Sequence, residues 1–142
     1  MTLSFARSST GIGAQLAVAT IPLHLLLTKT QSEQFAAVLL AVIGAIYIGF
    51  GLQQGSRRQI ATELTAAIVF IVAALAAIWS ALWIIPFAYV VHGIWDHAHH
   101  QGLKLASLYS KFVSIPAWYP PFCAVYDWVA VVSLAVIWSL RV

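Results

Sequence analysis

The feature that most restricts the fold is an apolar run over residues 60–95, which contains no Lys or Arg and Glu63 as its single acid. A transmembrane helix needs about 20 mostly apolar residues, so at about 1.5 Å per residue this run is too long for one crossing of a hydrocarbon core of roughly 30 Å. Pro86 is the expected point of division, because proline lacks a backbone donor and suits the first turn of a helix. The run therefore predicts two spans, at about 61–80 and about 86–105.

The rest of the chain has the same character. Only 8% of the 142 residues are charged, against roughly a quarter in an average soluble domain. Further apolar stretches at residues 11–28, 34–52 and 122–140 are each about long enough to cross a bilayer. We therefore predict an all-α integral membrane helical bundle, a single domain over residues 1–142, with five transmembrane helices. The alternative has four spans, with residues 60–95 forming one long helix kinked at Pro86.

The distribution of basic residues favours five spans and an inside N-terminus, because Lys and Arg accumulate in loops on the inner side of the membrane. In that arrangement the inside basic residues are Arg7, Arg57, Arg58, Lys104 and Lys111. The outside basic residues are Lys29 and Arg141. With four spans, four of the basic residues would lie on one side of the membrane and three on the other. We expect a bacterial inner membrane protein. The sequence has no Lys/Arg cluster longer than Arg57-Arg58, which argues against nucleic acid as a partner.

Residues 92–100 read His-Gly-Ile-Trp-Asp-His-Ala-His-His and hold four of the five histidines. At about 100° per residue, a helix places four polar side chains of this stretch within about a third of its circumference. These four are His92, Asp96, His99 and His100. His97 points away from them and is expected to be dispensable. Ionisable side chains inside a membrane span are costly and tend to be functional, so this face is the candidate site.

A transition metal is the favoured ligand for this face, because imidazole and carboxylate are the usual ligands of iron, zinc and copper. Spacings of three and four residues also put ligands on one side of a helix, as in helix-bundle metal sites. The predicted metal ligands are His92, Asp96, His99, His100 and Asp127. Asp127 acts either as a direct ligand or as an acceptor that orients an imidazole. With five spans, Glu63 lies on the same side of the membrane and joins a shared polar pocket.

Other interpretations use the same residues. His92, followed by Gly93, could be an axial ligand to haem or a chlorophyll-type ring, with the glycine leaving room for the macrocycle. The cluster could also relay protons or be a hydrated helix end at the interface. His24, on an apolar helix, is expected to hydrogen-bond to a neighbouring helix. The short, aromatic-rich chain would also suit a small accessory subunit of a larger membrane complex, or a homo-oligomer.

The motif His92-x-x-Trp95-Asp96-x-x-His99-His100 resembles two groups of membrane proteins. It resembles the histidine boxes of membrane fatty-acid desaturases and hydroxylases, which read HxxxH and HxxHH, with Asp96 where those boxes carry histidine. Together with Pro116-x-Trp118, Cys123 and Tyr126-Asp127-Trp128, it is similar to a family of small uncharacterised bacterial membrane proteins. A metal beside the acyl region meets apolar molecules and could activate oxygen or water, so the expected chemistry is oxidoreduction of a lipid-soluble substrate.

Overall fold

The computed structural model describes residues 7–81, 83–99, 113 and 115–141, and within them the ordered elements are α-helices. In chain order the five helices of this described part are α1 (Ser9–Leu26), α2 (Lys29–Gln54), α3 (Arg57–Trp79), α4 (Ile84–His99) and α5 (Tyr119–Ser139). The all-α prediction is confirmed. Four of the helices (α1, α2, α3 and α5) are long and apolar enough to cross a membrane. α4 has 16 residues and a length of about 24 Å.

Polar residues before the first three helices fix where they begin. Ser8 accepts a hydrogen bond from the Gly11 backbone N–H, while Thr28 and Ser56 each form a reciprocal capping box with the glutamine three residues later. Helices α2 and α3 therefore begin before residues 34 and 61, where hydropathy alone placed them. The polar residues at 29–33 are the first turn of α2 and not a loop, because capping satisfies the backbone donors there.

The long apolar run is divided, as predicted. Helix α3 ends at Trp79, and α4 begins at Ile84 with Pro86 in its first turn. The rings of Phe70 on α3 and His92 on α4 lie 4.6 Å apart between centroids. In one long helix these residues would be about 33 Å apart. The chain therefore reverses between α3 and α4, which form an antiparallel hairpin in place of the alternative kinked helix.

The last helix returns to the end of the bundle where α1 and α2 meet. The Arg141 guanidinium donates to the Leu25 and Leu27 carbonyl oxygens at 2.7 and 2.8 Å. Trp138 Nε1 donates to Ser32 Oγ at 2.9 Å. Successive helices therefore alternate in direction, and α5 runs parallel to α1.

Small residues and tyrosines fill the interior, whereas large aliphatic side chains point outward, as expected where lipid and not water surrounds the bundle. Helices α2 and α3 approach closely at Gly44, where an added Cβ would lie 2.9 Å from Phe70 Cβ. The Tyr89 hydroxyl of α4 donates to the Ala36 carbonyl of α2 at 2.9 Å. These contacts hold α3 and α4 against α2 and so set the position of the residues around His92.

Candidate metal centre

Three side chains predicted as metal ligands come together in the interior of the bundle. His92 Nδ1 donates to Asp127 Oδ2 at 2.8 Å and lies 3.2 Å from Asp96 Oδ2. All three side chains are completely buried. His92 and Asp96 share a face because they are one helical turn apart on α4, and α5 supplies Asp127. One atom from each residue falls within a group no wider than 4.8 Å, a spacing that a metal ion can fill.

Helices α2 and α3 close the site with aromatic residues. The Tyr47 hydroxyl of α2 donates a hydrogen bond to Asp96 Oδ1, and its ring lies 6.0 Å from that of His92. Phe70 of α3 meets the His92 ring edge-on at 4.6 Å. Tyr119 of α5 packs edge-on against Tyr47, with ring centroids 5.8 Å apart. The two carboxylates therefore lie in an aromatic enclosure without access to bulk water.

Several atoms of the cluster have unused hydrogen-bonding capacity. Among the described residues, His92 Nε2, Asp96 Oδ2 and Asp127 Oδ1 are buried without a hydrogen-bond partner. Buried polar atoms are normally satisfied, so three such atoms in one cluster indicate that a further ligand or proton belongs there. Within the described part of the chain, the ion pairs of both carboxylates are with His92 alone. With both carboxylates ionised, even a doubly protonated imidazole would leave the group with a negative charge.

The other predicted ligands lie at or beyond the end of α4. His99 is the last residue of that helix, and its side chain lies outside the described part of the structure. His100 is likewise outside the described residues. The participation of both in the site stays a prediction. The side chain of His97 is exposed, which agrees with the prediction that it points away from the cluster.

Glu63 is also buried, but it is separate from the three-residue cluster. Its Oε1 accepts a hydrogen bond from the Val113 backbone N–H at 3.2 Å, and its side chain packs against the backbone position of Gly51. It lies in the second turn of α3, at the end of the bundle where α4 ends and α5 begins. The predicted side of the bundle is therefore correct, whereas the group of candidate ligand atoms is formed without Glu63.

Sequence reasoning missed Tyr47. Tyrosine hydroxyls that are buried usually find a hydrogen-bond partner, so a tyrosine in the middle of an apolar span is a signal in itself. The partner could not be chosen from the sequence, because Asp96 is 49 residues away and belongs to another helix. Its contact with Asp96 orients one carboxylate in the way that partners of metal ligands do.

Gly93 serves helix packing. A Cβ at this position would collide with the indole of Trp128 on α5. The room beside Gly93, which the haem interpretation assigned to a macrocycle, is occupied by that indole. The glycine therefore supports the close approach of α4 and α5 that brings His92 to Asp127.

His24 belongs to a second polar group at the other end of the bundle. Its Nδ1 lies 2.8 Å from Ser32 Oγ, and Ser32 also accepts from Trp138 Nε1. The predicted hydrogen bond from His24 to a neighbouring helix is confirmed. Ser32 and Tyr47 are 15 residues, or about 22 Å, apart along α2, so this group is distinct from the candidate metal centre.

Fold and site together define a class: an all-α protein with membrane-span-like helices that enclose a buried His–Asp–Asp cluster. The chain belongs to DUF6010, a family of unknown function whose model matches residues 10–139. None of the curated proteins and none of the solved structures matches the chain. The family match agrees with the resemblance to uncharacterised proteins, whereas the resemblance to the histidine boxes stays a prediction.

Proposed function

We propose that the protein is an integral membrane metal-binding protein that holds a transition metal (iron, zinc or copper) through His92, Asp96 and Asp127. The observation that carries this proposal is the convergence of two completely buried carboxylates on one imidazole nitrogen. Burying an uncompensated charge costs several kcal/mol even after relaxation of the protein. A divalent cation would neutralise both carboxylates at once, whereas His92 can offset only one of them.

The spacing of the ligand atoms supports the same conclusion. Metal ligands at about 2.0–2.2 Å from a zinc ion stand about 2.8–3.6 Å apart along the edges of octahedral and tetrahedral sites. The distances of 2.8 and 3.2 Å from His92 Nδ1 to the two carboxylates lie in this range. The same distances suit a hydrogen bond, so metal binding would replace the proton on Nδ1. His99 and His100, three and four residues after Asp96, are the proposed additional ligands from α4.

For the use of the metal, we propose oxidoreduction of a lipid-soluble substrate. The cluster lies between helices whose outer faces are apolar, so molecules dissolved in the acyl region are the candidate substrates nearest to it. The metal would supply Lewis acidity or redox chemistry when bound. The chain itself contributes the Tyr47 hydrogen bond, which holds Asp96 in place, and the aromatic rings, which exclude water.

A proton-handling site is the second candidate, and a specific contact favours it. Tyr47, Asp96, His92 and Asp127 form a continuous series of polar contacts across α2, α4 and α5. Such a series could hold and pass protons, because histidine and buried carboxyl groups exchange them readily. In this case protons, and not a metal, would balance the two carboxylates, and the protein would serve a larger membrane complex as an accessory subunit.

We further propose five crossings of a bacterial inner membrane with the N-terminus inside. The alternating helix directions support five crossings, because Arg141 lies against the turn between α1 and α2. Lys29, which the charge distribution assigns to the outside, is the first residue of α2 directly after that turn. Arg57 and Arg58 lie in the first turn of α3 at the opposite end of the bundle, in agreement with the positive-inside rule.

Metal analysis of protein purified in detergent tests the proposal. Wild type, His92→Gln and His99→Ala would be compared by elemental analysis and optical spectroscopy, with Glu33→Gln as the control. Glu33 is a buried acid 14 residues before Tyr47 on α2, and it lies outside the cluster. We expect a stoichiometric metal in wild type and control that is lost in His92→Gln. A haem spectrum, or a wild type that binds no added iron, zinc or copper, would contradict the proposal.

A further inference from the structure

A groove made of two adjoining cavities follows the outer side of the α3–α4 hairpin. It consists of two cavities of about 570 and 290 Å³, which share Val69, Phe70 and Val91 as lining residues. The larger cavity begins at Arg58, and the smaller one reaches Trp83 near the turn of the hairpin. From Arg58 to Ala73 the groove is about 22 Å long, judged by the rise of α3.

The groove is charged at one end only. Arg58 contributes the guanidinium, and of the described residues that line the two cavities none is acidic. The hydroxyls of Thr62 and Thr65 donate to carbonyls of their own helix at 3.1 and 2.7 Å. In the described part of the chain, no carboxylate forms an ion pair with Arg58. The guanidinium is thus available to an anion at one end of an otherwise apolar groove.

We propose that this groove binds a single-chain carboxylate amphiphile of the fatty-acid type. The carboxylate pairs with the planar guanidinium of Arg58, which matches it with two parallel hydrogen bonds. The acyl chain lies along Val69 and Val91 toward Trp83. Cavities that adjoin along one hairpin suit one acyl chain, whereas a diacyl phospholipid would need to place a second chain outside them.

The groove also passes the candidate metal centre. Phe70 lines both cavities and has its ring 4.6 Å from that of His92, so one aromatic side chain separates the middle of the acyl chain from the cluster. That this amphiphile is the substrate of the metal centre rests on the proposed function. Its binding to the groove does not, because Arg58 and the lining residues are independent of the metal ligands.

A binding titration with radiolabelled palmitate in detergent micelles tests the proposal on chelator-treated, metal-free protein. We expect Arg58→Gln to weaken palmitate binding by about tenfold or more, the usual loss for a hydrogen-bonded charge. Arg57→Gln is the matched control, since Arg57 is its exposed neighbour outside the groove lining. A second variant, Ala66→Trp, would fill the apolar part of the groove and should reduce binding without any change in charge.

Three results would overturn the proposal. In the first, Arg58→Gln binds palmitate as tightly as the control Arg57→Gln does. In the second, methyl palmitate, which lacks the negative charge, competes as well as palmitate does. In the third, phosphatidylglycerol displaces palmitate at a lower concentration than unlabelled palmitate, which would make the occupant a phospholipid. Because the titration uses metal-free protein, a failed metal site and a failed groove give separate outcomes.

Discussion

Asp127→Asn is the substitution that most directly separates a metal site from a purely structural polar cluster. Asparagine has nearly the same shape as aspartate, and its carbonyl oxygen can still accept the hydrogen bond from His92 Nδ1. The change therefore removes a negative charge and leaves the packing of α4 against α5 in place. If a cation binds at this cluster, the variant should lose metal affinity and keep the stability of its metal-free form.

The expected change in the free energy of unfolding follows from how tightly the folded protein binds the metal. Loss of a residue that only orients a ligand weakens metal binding by about 10–100-fold, so about 100-fold is a conservative value for Asp127 as a direct ligand. At a free metal concentration 100 times the wild-type Kd, the metal stabilises the wild type by about 2.7 kcal/mol. The same concentration would stabilise the variant by only about 0.4 kcal/mol. The difference of about 2 kcal/mol is measurable.

The assay is reversible unfolding in mixed micelles, with and without added zinc, after treatment with a chelator. Glu33→Gln is the control, because it removes a buried carboxylate far from the cluster and should keep the full stabilisation by zinc. If the cluster is only a structural polar group, Asp96 still pairs with His92 in the metal-free variant, and zinc should stabilise variant and wild type equally. Equal zinc responses in variant and wild type would therefore refute the metal proposal.

Three further substitutions give graded tests by the same metal titration and unfolding assay. Tyr47→Phe removes the hydrogen bond to Asp96, so we expect metal affinity to fall by about 10–100-fold; an unchanged affinity would exclude an orienting role. Gly93→Ala places a methyl group against the Trp128 indole and should destabilise the protein by about 1–3 kcal/mol, unlike a surface substitution. His97→Ala removes an exposed side chain and should bind metal as wild type does; a loss would mean that the ligand face was misassigned.

The helical bundle could be predicted from the sequence because lipid imposes a simple rule on composition and length. The division of residues 60–95 followed from the thickness of a bilayer and from Pro86. The helix starts were less accurate, because hydropathy does not register capping. Thr28 and Ser56 begin their helices through side-chain hydrogen bonds, and the polar residues that follow them are helical although they lower the local hydropathy.

The candidate site was only partly predictable. His92 and Asp96 are one turn apart, so helical periodicity alone placed them on one face. Their convergence with Asp127 depends on how α4 packs against α5, which Gly93 and the Trp128 indole determine. Tyr47 was missed because its partner lies on a helix that is distant in the sequence. Glu63 was assigned to the correct end of the bundle, but a backbone contact with Val113 uses one of its carboxylate oxygens.

The hairpin between α3 and α4 is the structural cause of both the buried cluster and the external groove. An uninterrupted helix would carry His92 about 33 Å beyond Phe70, where neither residue could contribute to the surroundings of the other. Reversal of the chain brings the two rings to 4.6 Å and, on the opposite side of the same aromatic residue, leaves the groove that begins at Arg58. A lipid-like molecule in the groove and a cation at the cluster would therefore contact opposite sides of one hairpin. Phe70 and its contact with His92 would couple the two sites.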